Sequence, residues 1–111
     1  MTQEEKELLL KDLCARLPYG VICKSKSYRN ILFNSSHISL IESEEIKPYL
    51  RLLSSMTEDE KETYQMFFNE DGLLNTSIDT YLDWLLEGHF DFRGLISKGL
   101  AVEAPENFYN N

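Results

Sequence analysis

The sequence predicts an α+β fold, a small antiparallel three-stranded sheet packed against three to four helices. Three observations carry that expectation. Two capping boxes, Thr2 with Glu5 and Thr57 with Glu60, mark helix starts. Apolar residues recur at helical spacing after each, at Leu9, Leu10, Leu13 and Leu17, then at Tyr64, Phe67 and Phe68. Between these stretches, residues 20–41 hold three short β-prone runs separated by polar turns.

In chain order, the first helix is expected from about Gln3 to Ala15, with Pro18 and Gly20 ending it and turning the chain. Val21-Ile22-Cys23, Ile31-Leu32-Phe33 and Ile38-Ser39-Leu40-Ile41 read as strands. Their connections, Lys24 to Asn30 and Asn34-Ser35-Ser36, are short enough to favour an antiparallel meander. A sheet of such short strands needs a helix across one face. Ser43 to Leu52 reads as one or two helical turns, because Pro48 is tolerated early in a helix. The helix opened by Thr57 should stop at Asp71-Gly72. Ser77 or Thr76 caps the next, whose stripe of Ile78, Tyr81, Leu82 and Leu85 is broadened by Trp84. Gly88 fits a left-handed C-terminal cap. Asp91 is expected to cap a short helix from Phe92 to Lys98, closed by Gly99. Leu100-Ala101-Val102 reads as an edge strand and Pro105 to Asn111 as a polar tail.

A chain of 111 residues with 42% apolar content fits a single domain spanning 1–111. Its net charge of −8 is uneven: residues 1–41 sum to +2 and residues 42–111 to −10. The acidic part repels nucleic-acid phosphates. Cys14 and Cys23 form no CxxC and have no histidine cluster beside them, so neither a metal nor a cofactor is expected. Neither a signal peptide nor a transmembrane run is legible, which makes the cytoplasm, with both thiols free, the expected location.

His89-Phe90-Asp91-Phe92-Arg93 is the densest group of chemically capable side chains. An imidazole, a carboxylate and a guanidinium within five residues suit acid–base or anion-binding work. The structural reading is preferred: Asp91 caps a helix, Arg93 pairs with a carboxylate of the acidic surface, and Phe90 and Phe92 fill the core. His89 then follows a helix C-terminus, where its positive form suits the dipole. Gly94 and Gly99 have phosphate-loop spacing, but Leu100-Ala101 replaces the lysine and hydroxyl that such a loop requires. Lys24, Lys26 and Arg29, with Tyr28, form a basic hairpin that suits nucleic-acid phosphates, set against the plainer reading of a solvated turn. Glu42, Glu44 and Glu45, with Glu58, Asp59, Glu60 and Glu62, offer an acidic nucleic-acid mimic, set against the ordinary preference of acids for helix starts. Trp84, Tyr81, Phe67 and Phe68 read as core before they read as a partner patch.

Three stretches carry a family resemblance. They are Ile46-Lys47-Pro48-Tyr49-Leu50-Arg51, then Ser54-Ser55-Met56-Thr57-Glu58, then Trp84-Leu85 with His89 through Ala101. Together with Leu17-Pro18-Tyr19-Gly20-Val21, the chain resembles a family of short uncharacterised proteins of phages, prophages and conjugative transposons of Bacteroides-type gut bacteria. The region between Pro18 and Ile46 is shorter here than in that family. The resemblance implies an accessory protein of a mobile element and brings no activity with it. The expected function is accordingly non-enzymatic binding of another protein, with no membrane association. Trp84, His89, Asp91 and Arg93 are the first candidate contacts. The alternatives are nucleic-acid binding through Lys24, Lys26 and Arg29 in the basic hairpin 24–29, or an acidic nucleic-acid mimic that inhibits a host protein.

Overall fold

A computed structural model describes residues 1–27 and 29–109. Its first helix, α1 (Gln3–Ala15), begins at the expected capping box. Thr2 Oγ1 accepts from the Glu5 N–H at 3.1 Å, and Glu5 Oε1 accepts from the Thr2 N–H at 2.8 Å. Two N–H groups that have no partner within the helix are thereby satisfied. Leu9 and Leu13 turn inward and are fully buried.

The sheet has four strands in the order β2-β1-β3-β4 and is mixed rather than antiparallel. β1 (Ile22–Ser25) runs antiparallel to β2 (Asn30–Leu32) and to β3 (Ile46–Leu50). β4 (Val102–Glu103) is parallel to β3 and begins later than the expected edge strand. Period-two alternation buries Cys23, Ile46, Pro48 and Leu50 and exposes Lys24 and Lys47. Leu9, Leu13, Val21, Cys23, Ile46 and Leu50 belong to one core cluster, so α1 supplies the apolar cover that the inner face of the sheet needs.

Two expected elements exchange identity. Ile38 to Ile41, read as the third strand, is α2 (Ile38–Glu42), and the supposed helical stretch after Ser43 contains β3. Four apolar-rich residues satisfy either period, so local capping decides. The Asn34 side chain accepts from the Ser36 N–H at 2.9 Å and opens a 3-10 turn that leads directly into α2. Glu44 then takes a left-handed φ of 58° and turns the chain into β3. Pro48 is tolerated in this inner strand because the ladder to β4 starts only at Tyr49. The Leu50 carbonyl accepts from Ala104 on the β4 side, and by alternation the Pro48 nitrogen faces that same side, where no partner strand requires a donor.

α3 (Glu58–Met66) and α4 (Ile78–Glu87) build a second layer around Met56, Leu85 and Phe90. α3 stops before Asp71-Gly72, because Phe68 bridges to Leu74 and residues 67–75 form a tight hairpin instead. Ser77 caps α4. No helix forms from Phe92 to Lys98, which is a series of turns. Among the described residues, no helix is long and apolar enough to cross a membrane.

Gly88 does not take the expected left-handed conformation. Its φ is −81°, and His89 adopts the left-handed turn at 62°. Glycine is required at 88 for room: a Cβ there would lie 2.6 Å from the fully buried Phe90 ring. Gly88→Ala is therefore expected to destabilise the fold by about 1 kcal/mol or more, since overpacking outweighs the helix propensity gained. Urea unfolding followed by Trp84 fluorescence checks this, and a stabilised variant would count against the contact.

Candidate functional site

α1 positions an acid and a base on its buried face. Leu9, Asp12, Leu13 and Arg16 share one helical stripe, and Asp12 and Arg16 are as inaccessible as the leucines. Arg16 Nε donates to Asp12 Oδ2 at 2.7 Å, and Arg16 Nη2 donates to Asp12 Oδ1 at 3.1 Å. Nη2 also reaches the Phe90 carbonyl at 2.8 Å. Arg93 Nε completes the group by donating to Asp12 Oδ1 at 3.0 Å. Both guanidinium groups face the Phe92 ring, at 5.6 Å for Arg16 and 4.6 Å for Arg93.

The 89–93 segment is thus held from several sides. Arg93 pairs with the buried Asp12 rather than with a surface carboxylate, which corrects the sequence expectation. Asp91 is buried and accepts from the Leu95 N–H at 2.8 Å and the Ile96 N–H at 2.9 Å, so it organises turns instead of capping a helix. On the other side, the Arg51 N–H donates to the His89 carbonyl and the Asp91 N–H donates to the Arg51 carbonyl. The Arg51 guanidinium lies 4.4 Å from the Phe90 ring centre and pairs with Glu60 at 2.6 Å. Glu60 therefore both caps α3 and neutralises Arg51, whose hydrogen bond is the main reason its carboxyl sits below the usual range.

His89 stacks on Tyr109, with ring centres 3.6 Å apart and planes 11° apart. The supposed polar tail is therefore packed as far as Tyr109. Its hydroxyl accepts from the Ile22 N–H at 3.1 Å and donates to the Tyr49 carbonyl at 2.6 Å, filling the seam where β1 and β3 separate. Burial pushes the Tyr109 hydroxyl up to about 12. Burial, then the charges of Arg16 and Arg51, push the His89 imidazole down to about 4. The expected positive His89 is thus corrected to a neutral one. Among the described residues, Nδ1 of His89 and Nη1 of Arg16 are buried without a hydrogen-bond partner. The Cys23 thiol is buried and pushed up to about 12, while Cys14 is exposed.

Lys24, Lys26 and Arg29 are all exposed, and Lys24 faces Lys47 across the β1–β3 ladder. Glu44 and Glu45 line the same 350 Å³ cleft as the three lysines, so this face is mixed in charge. Tyr28, the aromatic expected beside them, lies outside the described residues.

Trp84 is half-buried. Its ring stacks on Phe90 at 5.5 Å and meets Phe67 edge-on at 5.5 Å. Tyr81 makes edge contacts with Phe67 and Phe68, each at 5.6 Å. Trp84, Tyr81, Phe67 and Phe68 pack α4 against the end of α3, but all four are only partly buried, so they border the core rather than fill it. The end of that lobe differs. Met66 closes α3, Leu73 sits in the hairpin and Ile78 opens α4, and they are 75%, 64% and 56% exposed.

Sequence reasoning missed Asp12, Arg16, Arg51, Tyr109 and the three exposed apolar residues. A signal existed for the first two, since an acid and a base four apart on a leucine stripe must be buried together. Among the described residues, no group of three or more His, Cys, Asp or Glu is placed to hold a metal ion. Comparison with protein-family models, curated proteins and solved structures returns no match.

The depressed His89 gives a pH dependence with a definite sign. The unfolded chain takes up the imidazole proton at about 6.5, well before the folded one does. Stability from this group is fully present above that value and falls as the pH drops toward about 4. Urea midpoints near pH 7 and near pH 5 should show this loss, with a smaller loss in His89→Phe. Equal losses in both proteins would contradict the assignment.

Proposed function

We propose that this is a non-enzymatic accessory protein of a mobile genetic element, acting by binding another protein through the hairpin end of the α3–α4 lobe. The carrying observation is the exposure of Met66, Leu73 and Ile78 where one helix ends, turns and the next begins. Leu32 on the edge strand β2 is comparably exposed, but it stands singly, whereas apolar residues grouped where two helices meet at a turn are the usual mark of a partner surface. The resemblance to phage and conjugative-transposon proteins supports the setting. The absence of enzymatic activity is supported by the duties of the best chemical cluster: Asp91 binds backbone N–H groups, Arg93 binds Asp12, and His89 stacks on Tyr109.

Trp84 lies toward the other end of the lobe, against Phe90 and beside the start of α3, while Arg51 and Asp12 hold the His89–Arg93 segment in place. The exposed lysines of the β1–β3 ladder favour a second reading, nucleic-acid contact through Lys24, Lys26 and Arg29. Failure to be retained on immobilised DNA at low salt would remove it.

The main reading is tested by capture from host lysate with the wild-type chain and with Met66→Ser, Leu73→Ser, Ile78→Ser combined. All three side chains are exposed, so the variant is expected to unfold at a similar urea concentration and to lose the captured protein. Undiminished capture by the folded triple variant would place the binding elsewhere.

A further inference from the structure

The exposed apolar residues sit within an unusual distribution of charge. Residues 58–87 contain nine acids and a single base, Lys61, so they carry the entire net charge of −8 while the rest of the chain sums to zero. Lys61 is engaged with Glu58 at 3.4 Å. Glu62, Glu70, Asp71, Asp79, Asp83 and Glu87 form no ion pair among the described residues.

Helix capping accounts for only part of this. Glu58, Asp59 and Glu60 occupy the first turn of α3 and Asp79 that of α4, where acids are favoured. Glu70 and Asp71 lie in the hairpin. Glu87 ends α4, where the helix dipole disfavours an anion and no basic residue compensates. Asp83 lies beside the Tyr19 hydroxyl, whereas Glu70, Asp71 and Glu87 have no comparable partner among the described residues. They lie on the same lobe as Met66, Leu73 and Ile78.

Resting on the docking reading above, we infer that the occupant of this face is a cationic amphipathic segment of a partner protein. Its apolar side chains cover Met66, Leu73 and Ile78, and its lysines or arginines meet Glu62, Glu70, Asp71 and Asp79. Complementary charge steers such a partner in and rejects others, while apolar contact holds it. A second copy of this chain is a poor occupant, because it would bring the same −8 lobe against itself. Nucleic acid is rejected by the same charge. A pure phosphate mimic has no use for three exposed apolar side chains.

The test uses the full chain and three synthetic peptides of equal length: an amphipathic leucine–lysine helix, its leucine–glutamate counterpart and oligolysine. Binding is read by anisotropy of a dye on each peptide, at low and at physiological salt. The leucine–lysine peptide is expected to bind, and the leucine–glutamate peptide is not. The Met66→Ser, Leu73→Ser, Ile78→Ser variant should weaken binding by about tenfold or more. Glu70→Lys with Asp71→Lys should weaken it several-fold and flatten its salt dependence. Equal binding of the leucine–glutamate peptide would overturn the charge requirement. Equal binding of oligolysine would overturn the apolar one, and undiminished binding to the triple variant would overturn the location. Binding by none of the peptides would overturn the inference, while loss of lysate capture in the triple variant would still uphold the docking surface itself.

Discussion

Asp12 and Arg16 place an acid and a base inside the core, and the neighbouring structure meets most, though not all, of their hydrogen-bonding groups. Neither side chain is accessible to water. A buried ion pair adds little net stability compared with apolar residues of equal size, because desolvating two charges offsets their attraction. Leaving one of them alone is far more costly, about 3–5 kcal/mol. The pair therefore acts as a positional constraint. Arg16 must find the Phe90 carbonyl, and Asp12 must find Arg93. Those two contacts fix the chain as it leaves α4 and returns beside the sheet, and Arg51 fixes it again from β3 through its backbone bonds to His89 and Asp91.

From that constraint follows a division between two parts of the molecule. The sheet with α1 and α2 holds one apolar core, and α3 with α4 holds a second, mainly aromatic one. Phe90 belongs to the second core while its carbonyl is held by the first helix. The lobe can thus present an acidic, partly apolar end without contributing it to the main core. Most of the chain's chemically capable residues lie at the junction, and there they maintain geometry. The unbalanced charge lies on the lobe, as do three of the four large apolar side chains that are more than half exposed among the described residues, the fourth being Leu32 on β2.

The parts of the fold legible in the sequence were those decided locally. Thr2, Thr57 and Ser77 each cap the helix they were expected to cap, because the cap is formed within one turn. The identities of Ile38–Glu42 and Ile46–Leu50 were not legible. A short apolar run fits both periods, and the outcome depended on the Asn34 cap and on a left-handed Glu44. An edge strand after Gly99 was legible, but its later start at Val102 and its parallel pairing needed tertiary information, since β3 offers the edge it joins. The aromatic packing between α3 and α4 around Trp84 could be read from helical spacing. The exposed trio could not, because Ile78 looks like the start of a buried stripe until the hairpin turns it outward. Asp12 and Arg16 were readable in principle, since charges on a leucine stripe demand a partner.

A double-mutant cycle in urea unfolding with Asp12→Asn, Arg16→Met and the pair combined tests this constraint most directly. If the buried pair organises the junction, each single variant loses about 3–5 kcal/mol and the double variant loses much less than the two added together. Small single losses, or losses that simply add, would mean that Phe90 and Arg93 are held in place by packing alone.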